Sequence, residues 1–142
     1  MRAIKRSKLF GTDGIRSKAG TYPLDNESIY KLGAAIGELP ASSKILIGRD
    51  TRESGIKITE LLAAGIANGA NLFNGGVLPT PGVSYITAQG DFDYGIMITA
   101  SHNPYYDNGI KIFNSQGEKI SPELEQNIEN VFFSLKGNRK ST

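Results

Sequence analysis

Apolar residues along this chain keep two different rhythms. In YPLDNESIYKLGAAIGELP, Ile29, Leu32, Ala35, Ile36 and Leu39 return at three- and four-residue steps, the spacing of one helix face. Asp25 or Asn26 can cap that helix, and Pro40 ends it. KILIG, Lys44 to Gly48, is instead a continuous apolar run that suits a buried strand. A second helix is predicted from near Ser54, with Ile58, Leu61, Leu62, Gly65 and Ile66 on one side and Gly69 as its C-terminal stop. ANLFNGGV reads as another strand, and PTPGVSYITAQG as a turn followed by a short helix. YGIMIT, Tyr94 to Thr99, is a third buried strand, and GIKIFN, Gly109 to Asn114, is a fourth that NSQG can turn back on itself. Ser121 as N-cap, Pro122 at the first helical position and Glu123 in the first turn open a last helix. Leu124, Ile128, Val131, Phe132 and Leu135 line its face, and Gly137 closes it.

Strands alternating with helices predict α/β layers around a mainly parallel sheet. Ligands of such sheets bind where loops leave the carboxyl ends of the strands. GRDTRESG, PTPG and TASHNP each follow a predicted strand, so one end of the sheet is expected to gather them into one site. Residues 1–136 form one domain in this reading, and 137–142 a flexible tail.

Composition narrows the classes. A chain of 142 residues with 39% hydrophobic and 21% charged side chains is of single-domain size and can build one sizeable core. A net charge of +2 is too small to argue for a nucleic-acid partner, and the basic group Arg2, Lys5, Arg6 and Lys8 reads as a solvated end. No apolar run approaches the ~18 residues of a membrane span, so no membrane partner is expected. No apolar stretch of a signal peptide follows the basic start. With no cysteine, the chain has no disulfide, thiolate metal site or cysteine nucleophile, and a cytoplasmic location is expected. The 17 glycines point to tight turns and close backbone approach.

TASHNP carries the only histidine, His102, beside Ser101. Asn103 precedes Pro104 and is pushed away from helical angles, so Ser101 and His102 belong on an exposed turn after a buried strand. Three readings remain open. In a hydrolase His102 would activate Ser101, yet adjacent residues rarely face each other and no G-x-S-x-G elbow is present. In a phosphocarrier Ser101 would hold a phosphoryl group of about −1.5 to −2 charge, suited to His102, Lys111 and backbone N–H groups. The third reading is an ordinary polar turn. FGTDGIR permits a tight turn that aims Arg16, whose planar fork suits phosphate. In IGRDTRESG, Arg49 and Asp50 either support a phosphate site or form a structural salt bridge holding the loop, and the second is favoured. GDFD, Gly90 to Asp93, has too few carboxylates for a hard cation and reads as a turn.

Taken together and in order, FGTDGIR, GRDTR, PTP, TASHNP and NGIKIF resemble the N-terminal domain of the α-D-phosphohexomutase superfamily, from about Lys8 to the last helix. FGTDGIR with SHNPYYDNGIKIF is most similar to the bacterial phosphoglucosamine mutases within it. The resemblance implies a three-layer α/β/α fold with a mixed, mainly parallel sheet. It implies that phospho-Ser101 donates its phosphoryl group to the 1-hydroxyl of a hexosamine 6-phosphate and regains the 6-phosphate from the bisphosphate. Arg16 and Lys111 match positions tied to proton transfer and phosphate stabilisation, His102 matches a residue near the phosphoserine, and Asn103 stands with Arg16 and Lys111 among the phosphate-binding positions. Mg²⁺ would bridge to Ser101 through its phosphate. The family's aspartate magnesium loop, sugar loop and C-terminal phosphate loop do not occur in this chain, which implies missing domains as partners, inactivity alone and a weak or absent metal. Position 17 is Ser17 where the family commonly has glycine. A stand-alone phosphosugar-binding module, a domain of a phosphomannomutase or phosphoglucomutase, and an interaction domain with a decayed site are the alternatives.

Overall fold

A computed structural model describes residues 8–135. The basic residues Arg2, Lys5 and Arg6, the expected stop at Gly137 and the tail at 137–142 lie outside the described residues. In chain order the elements are β1 (Ile15–Lys18), α1 (Asn26–Gly37), β2 (Lys44–Arg49), α2 (Ser54–Ile66), β3 (Asn71–Val77), α3 (Thr80–Gln89), β4 (Tyr94–Ile98), β5 (Asp107–Phe113) and α4 (Pro122–Ser134). The sheet order is β1-β5-β4-β2-β3. β2 runs parallel to β3 and β4, whereas β5 is antiparallel to both β4 and β1. Four strands therefore share one direction and β5 alone opposes them, a mixed sheet in an α/β fold as expected.

Strand alternation divides the apolar side chains between two faces. Ile45, Ile47, Ile96, Ile98, Ile110 and Ile112 join the large core under α1, α2 and α4. Leu46, Met97 and Phe113 join a small core under α3 with Val83. Ser121 caps α4 by accepting the Leu124 N–H at 3.2 Å, and Asp25 rather than Asn26 caps α1, accepting from Ser28 at 3.3 Å. The NSQG turn closes as predicted: Asn114 N–H reaches the Glu118 carbonyl at 2.7 Å, and Phe113 bridges to Lys119.

Two features differ from the sequence reading. β1 was not predicted, because only Ile15 of its four residues is apolar and fully buried, and a short edge strand shows too little alternation to register. Gly69 is not a left-handed stop. α2 ends at Ile66, and a Cβ on Gly69 would stand 2.5 Å from the Gly37 carbonyl of α1. It belongs to a close helix crossing in which Gly33 and Gly65 also meet the opposing backbone, a Gly33 Cβ lying 2.5 Å from the Leu62 carbonyl.

The entry to β1 is held by a buried acid. Glu129 of α4 is 5% exposed, and its Oε2 accepts the Leu9 and Phe10 N–H groups at 2.9 and 3.1 Å. Glu129→Ala strands both donors and is expected to cost about 2–4 kcal/mol. Glu129→Gln, which keeps one acceptor oxygen, is expected to cost less. Urea unfolding midpoints at unchanged slope check the order of the two.

Candidate functional site

The site sits at the carboxyl ends of β2 and β4. Arg49 pairs with Ile98, Ile98 with Ile110, and Ile110 with Ile15. One residue further on, the Asp50 N–H donates to the Ile98 carbonyl at 3.1 Å, Thr99 N–H donates to Gly109 at 3.0 Å, and Gly109 pairs with Arg16. Asp50, Thr99, Gly109 and Arg16 thus stand side by side across four strands. Arg16 is brought there by the turn expected from FGTDGIR. Gly11 and Gly14 exchange backbone bonds of 2.8 and 3.3 Å around Thr12 and Asp13, and Gly14 has a φ of +84° over the Ile110 carbonyl, where any Cβ would collide. Ser17 lies within β1, paired with Asn108, and its hydroxyl donates to the Thr21 and Tyr22 carbonyls, so no glycine is needed at that position.

Ser101 follows the fully buried β4 on an exposed turn, as expected. Its φ is 56°, a left-handed conformation that costs a non-glycine residue about 1–2 kcal/mol. The Arg16 guanidinium donates from Nη2 to Ser101 Oγ at 3.0 Å and from Nη1 to Asn103 Oδ1 at 3.5 Å. Arg16 Nε is buried and has no partner among the described residues. Asn103 Nδ2 donates to Asp107 Oδ2 at 3.1 Å, and Asn103 N–H to the Ala100 carbonyl at 3.0 Å.

The loop salt bridge forms, but through Arg52 and not Arg49. Arg52 Nε meets Asp50 Oδ2 at 3.1 Å, whereas Arg49 lays its stem against Gly55 at the start of α2 and reaches only the Asp50 carbonyl, at 3.4 Å. Alternation sends Arg49 toward the α2 side of the sheet, away from the serine turn. The rest of the Arg52 fork donates to the carbonyls of Ser101 (2.7 Å), Pro104 (2.7 Å) and Asp107 (3.2 Å). Each such charge-assisted bond contributes about 1.5–3 kcal/mol, enough together to exceed the strain at Ser101. Thr99 completes the support: its hydroxyl donates to Asp50 Oδ2 at 2.6 Å and accepts the Ser101 N–H at 3.0 Å. Thr99 and Arg52 had no assigned role in the sequence reading. The signal available was the Asp-Thr-Arg spacing of an Asx turn, in which Asp50 Oδ1 accepts the Arg52 N–H at 3.1 Å.

The other expected site residues are less closely joined. Lys111 of β5 pairs with Met97 of β4, and alternation puts it on the same sheet face as Arg16; it is half-buried, and its ammonium makes no hydrogen bond to a described residue. His102 is exposed and makes no hydrogen bond to Ser101. The PTPG segment starts α3 and has no hydrogen bond to the serine turn among the described residues. GDFD is a turn in which Asp93 accepts the Ser43 and Lys44 N–H groups at 3.0 and 2.7 Å.

An open depression of about 450 Å³ lies over this network, lined by Asp50, Thr51, Arg52, Glu53, Ser101, Asn103 and Tyr105. Among the described residues no group of three or more His, Cys, Asp or Glu side chains is placed to hold a metal ion. Asp50 is committed to Arg52 and Thr99, and Asp107 to Asn103. These residues do not by themselves fit a Mg²⁺ ion, which needs several oxygen ligands.

Residues 7–139 match the family model described as phosphoglucomutase/phosphomannomutase, alpha/beta/alpha domain I. The chain belongs to this family. A phosphoglucosamine mutase of Solibacter usitatus is 51% identical over 133 residues, covering 90% of this chain and 30% of that protein. A phosphoglucosamine mutase of Deinococcus deserti is 46% identical over 139 residues, 94% of this chain and 31% of the relative. A putative phosphomannomutase from Thermus thermophilus superposes with a TM-score of 0.78 at 26% identity, over 91% of this chain and 30% of that one. This domain I therefore spans under a third of the length of the curated relatives it matches.

Proposed function

We propose that this chain is the phosphoserine domain of a phosphoglucosamine mutase and acts only together with further domains. The observation that carries the reading is the Ser101 hydroxyl, held at a left-handed turn with Arg16 3.0 Å from its oxygen. Ser101 Oγ carries a phosphoryl group. The 1-hydroxyl of glucosamine 6-phosphate attacks phosphorus, the P–O bond to Oγ breaks, and the hydroxyl proton passes to Oγ. Oγ then attacks the 6-phosphorus of the bisphosphate and returns the proton to the departing O6, leaving glucosamine 1-phosphate.

The chain's own cations suit the charge involved. Arg16 offsets the phosphate on Ser101, and an anion there would also give the orphaned Arg16 Nε a partner within reach. Lys111 is a cation on the same face with no bond to break before it serves in proton transfer and phosphate stabilisation. Asn103 orders the turn and presents its amide to the phosphate, and exposed His102 is the second polar group beside it. Mg²⁺, where bound, would add charge compensation through the phosphate, with its remaining ligands from outside this chain. A cytoplasmic setting suits phosphorylated sugars, and no helix of the described residues is long and apolar enough to cross a membrane.

The test is turnover. This chain joined to the remaining part of the Solibacter usitatus relative should convert glucosamine 6-phosphate in a coupled assay, and the chain alone should not. Binding of phosphosugar by the chain alone, with no turnover in the chimera, would favour a stand-alone binding module.

A further inference from the structure

We propose that Arg52 is a positioning residue for Ser101, on which the reactivity of the serine hydroxyl depends although Arg52 touches no substrate. This role rests on Ser101 being the phosphoryl carrier. Every nitrogen of the Arg52 side chain is already engaged within the protein. Nε is on Asp50, Nη1 on the Pro104 and Asp107 carbonyls, and Nη2 on the Ser101 carbonyl. The side chain is only 10% exposed, and four of its five N–H donors are engaged within the protein.

The three carbonyls come from the start, middle and end of the turn at 101–107, so the turn folds around one planar group. The connections also close on themselves. Arg52 holds Asp50, Asp50 accepts the Thr99 hydroxyl, that hydroxyl accepts the Ser101 N–H, and the Ser101 carbonyl returns to Arg52. Ser101 is thereby gripped at both ends of its own backbone unit. A serine released from this grip relaxes from φ 56° to negative φ, which swings Cβ and carries Oγ away from Arg16. Lysine cannot substitute, because a single ammonium lacks the fork that reaches three carbonyls and a carboxylate together.

The experiment compares Arg52→Lys with the parent in two settings. In the chimera with the Solibacter usitatus part, kcat is expected to fall about 100-fold with KM changed less than about threefold, since displacing a reacting group by about 1 Å costs that much. In the chain alone, amide hydrogen exchange is expected to accelerate at 101–107 while β2 and β4 stay protected. An unchanged kcat, or a rise in KM with kcat intact, would overturn the role, the second by making Arg52 a substrate contact. So would a variant that fails to fold, which would make Arg52 a residue of the fold at large. If the parent chimera is itself inactive, the functional reading fails, and exchange in the chain alone decides Arg52: unaltered rates at 101–107 refute it.

Discussion

Replacing Ser101 by alanine is expected to reduce mutase turnover of the chimera by about four orders of magnitude or more. The magnitude follows from the kind of loss. Arg16 and the turn would remain, but no oxygen would be left to accept or release the phosphoryl group. The hydroxyl lies at the surface and bonds only to Arg16, itself a side chain of an edge strand, so the fold should tolerate the change. Alanine also retains the unfavourable φ, so the backbone is not relaxed by the substitution. The assay would be accompanied by mass spectrometry of the parent protein after incubation with a hexose bisphosphate. Phosphate at Ser101 and its absence in the variant are expected. Phosphate at another residue, with the alanine variant still active, would show the wrong carrier.

The largest effect on stability is expected at the crossing of α1 and α2. Gly65→Val should cost about 3 kcal/mol or more. A Cβ at Gly65 would collide with the Tyr30 carbonyl and stand 2.7 Å from the Ala34 nitrogen. These are backbone atoms inside α1 and cannot turn aside as a side chain would. The helices would have to separate, and Ile29, Leu32, Ile36, Leu62 and Ile66 would lose packing together. Gly20→Ala is the comparison. Gly20 has a φ of +88° but nothing within 4 Å, so only the backbone term applies, about 1 kcal/mol. Equal urea midpoints for the two variants would show that the close approach is not what requires glycine at 65.

The helices and buried strands were readable because each carries its own periodicity and stop signals. Ser121, Pro122 and the Ile128–Phe132 face define α4 without reference to anything else. The order of the strands was not readable, since no local pattern says that β5 is inserted between β1 and β4 in the opposite direction. The site was legible in part. Ser101 and the Asn103–Pro104 turn announce themselves locally, and Arg16 is aimed by a recognisable glycine turn. The choice between Arg49 and Arg52 depended on Arg49 facing the α2 side at the end of β2 and on the Asx turn that carries Arg52 back to Asp50. Glu129 was hidden because an acid on an otherwise apolar helix face reads as solvent-exposed until the Leu9 and Phe10 donors are folded against it.

The insertion of β5 has a consequence for the timing of synthesis. Arg16 leaves the ribosome before β5, which among the described residues is the strand that β1 pairs with and lies some ninety residues later. At about 5–20 residues per second, β1 waits roughly 5–20 seconds for that neighbour. Ser101 likewise emerges before the strand that brings Arg16 to it. In the nascent chain the Ser101 hydroxyl therefore meets Arg16 only when β5 has closed between β1 and β4.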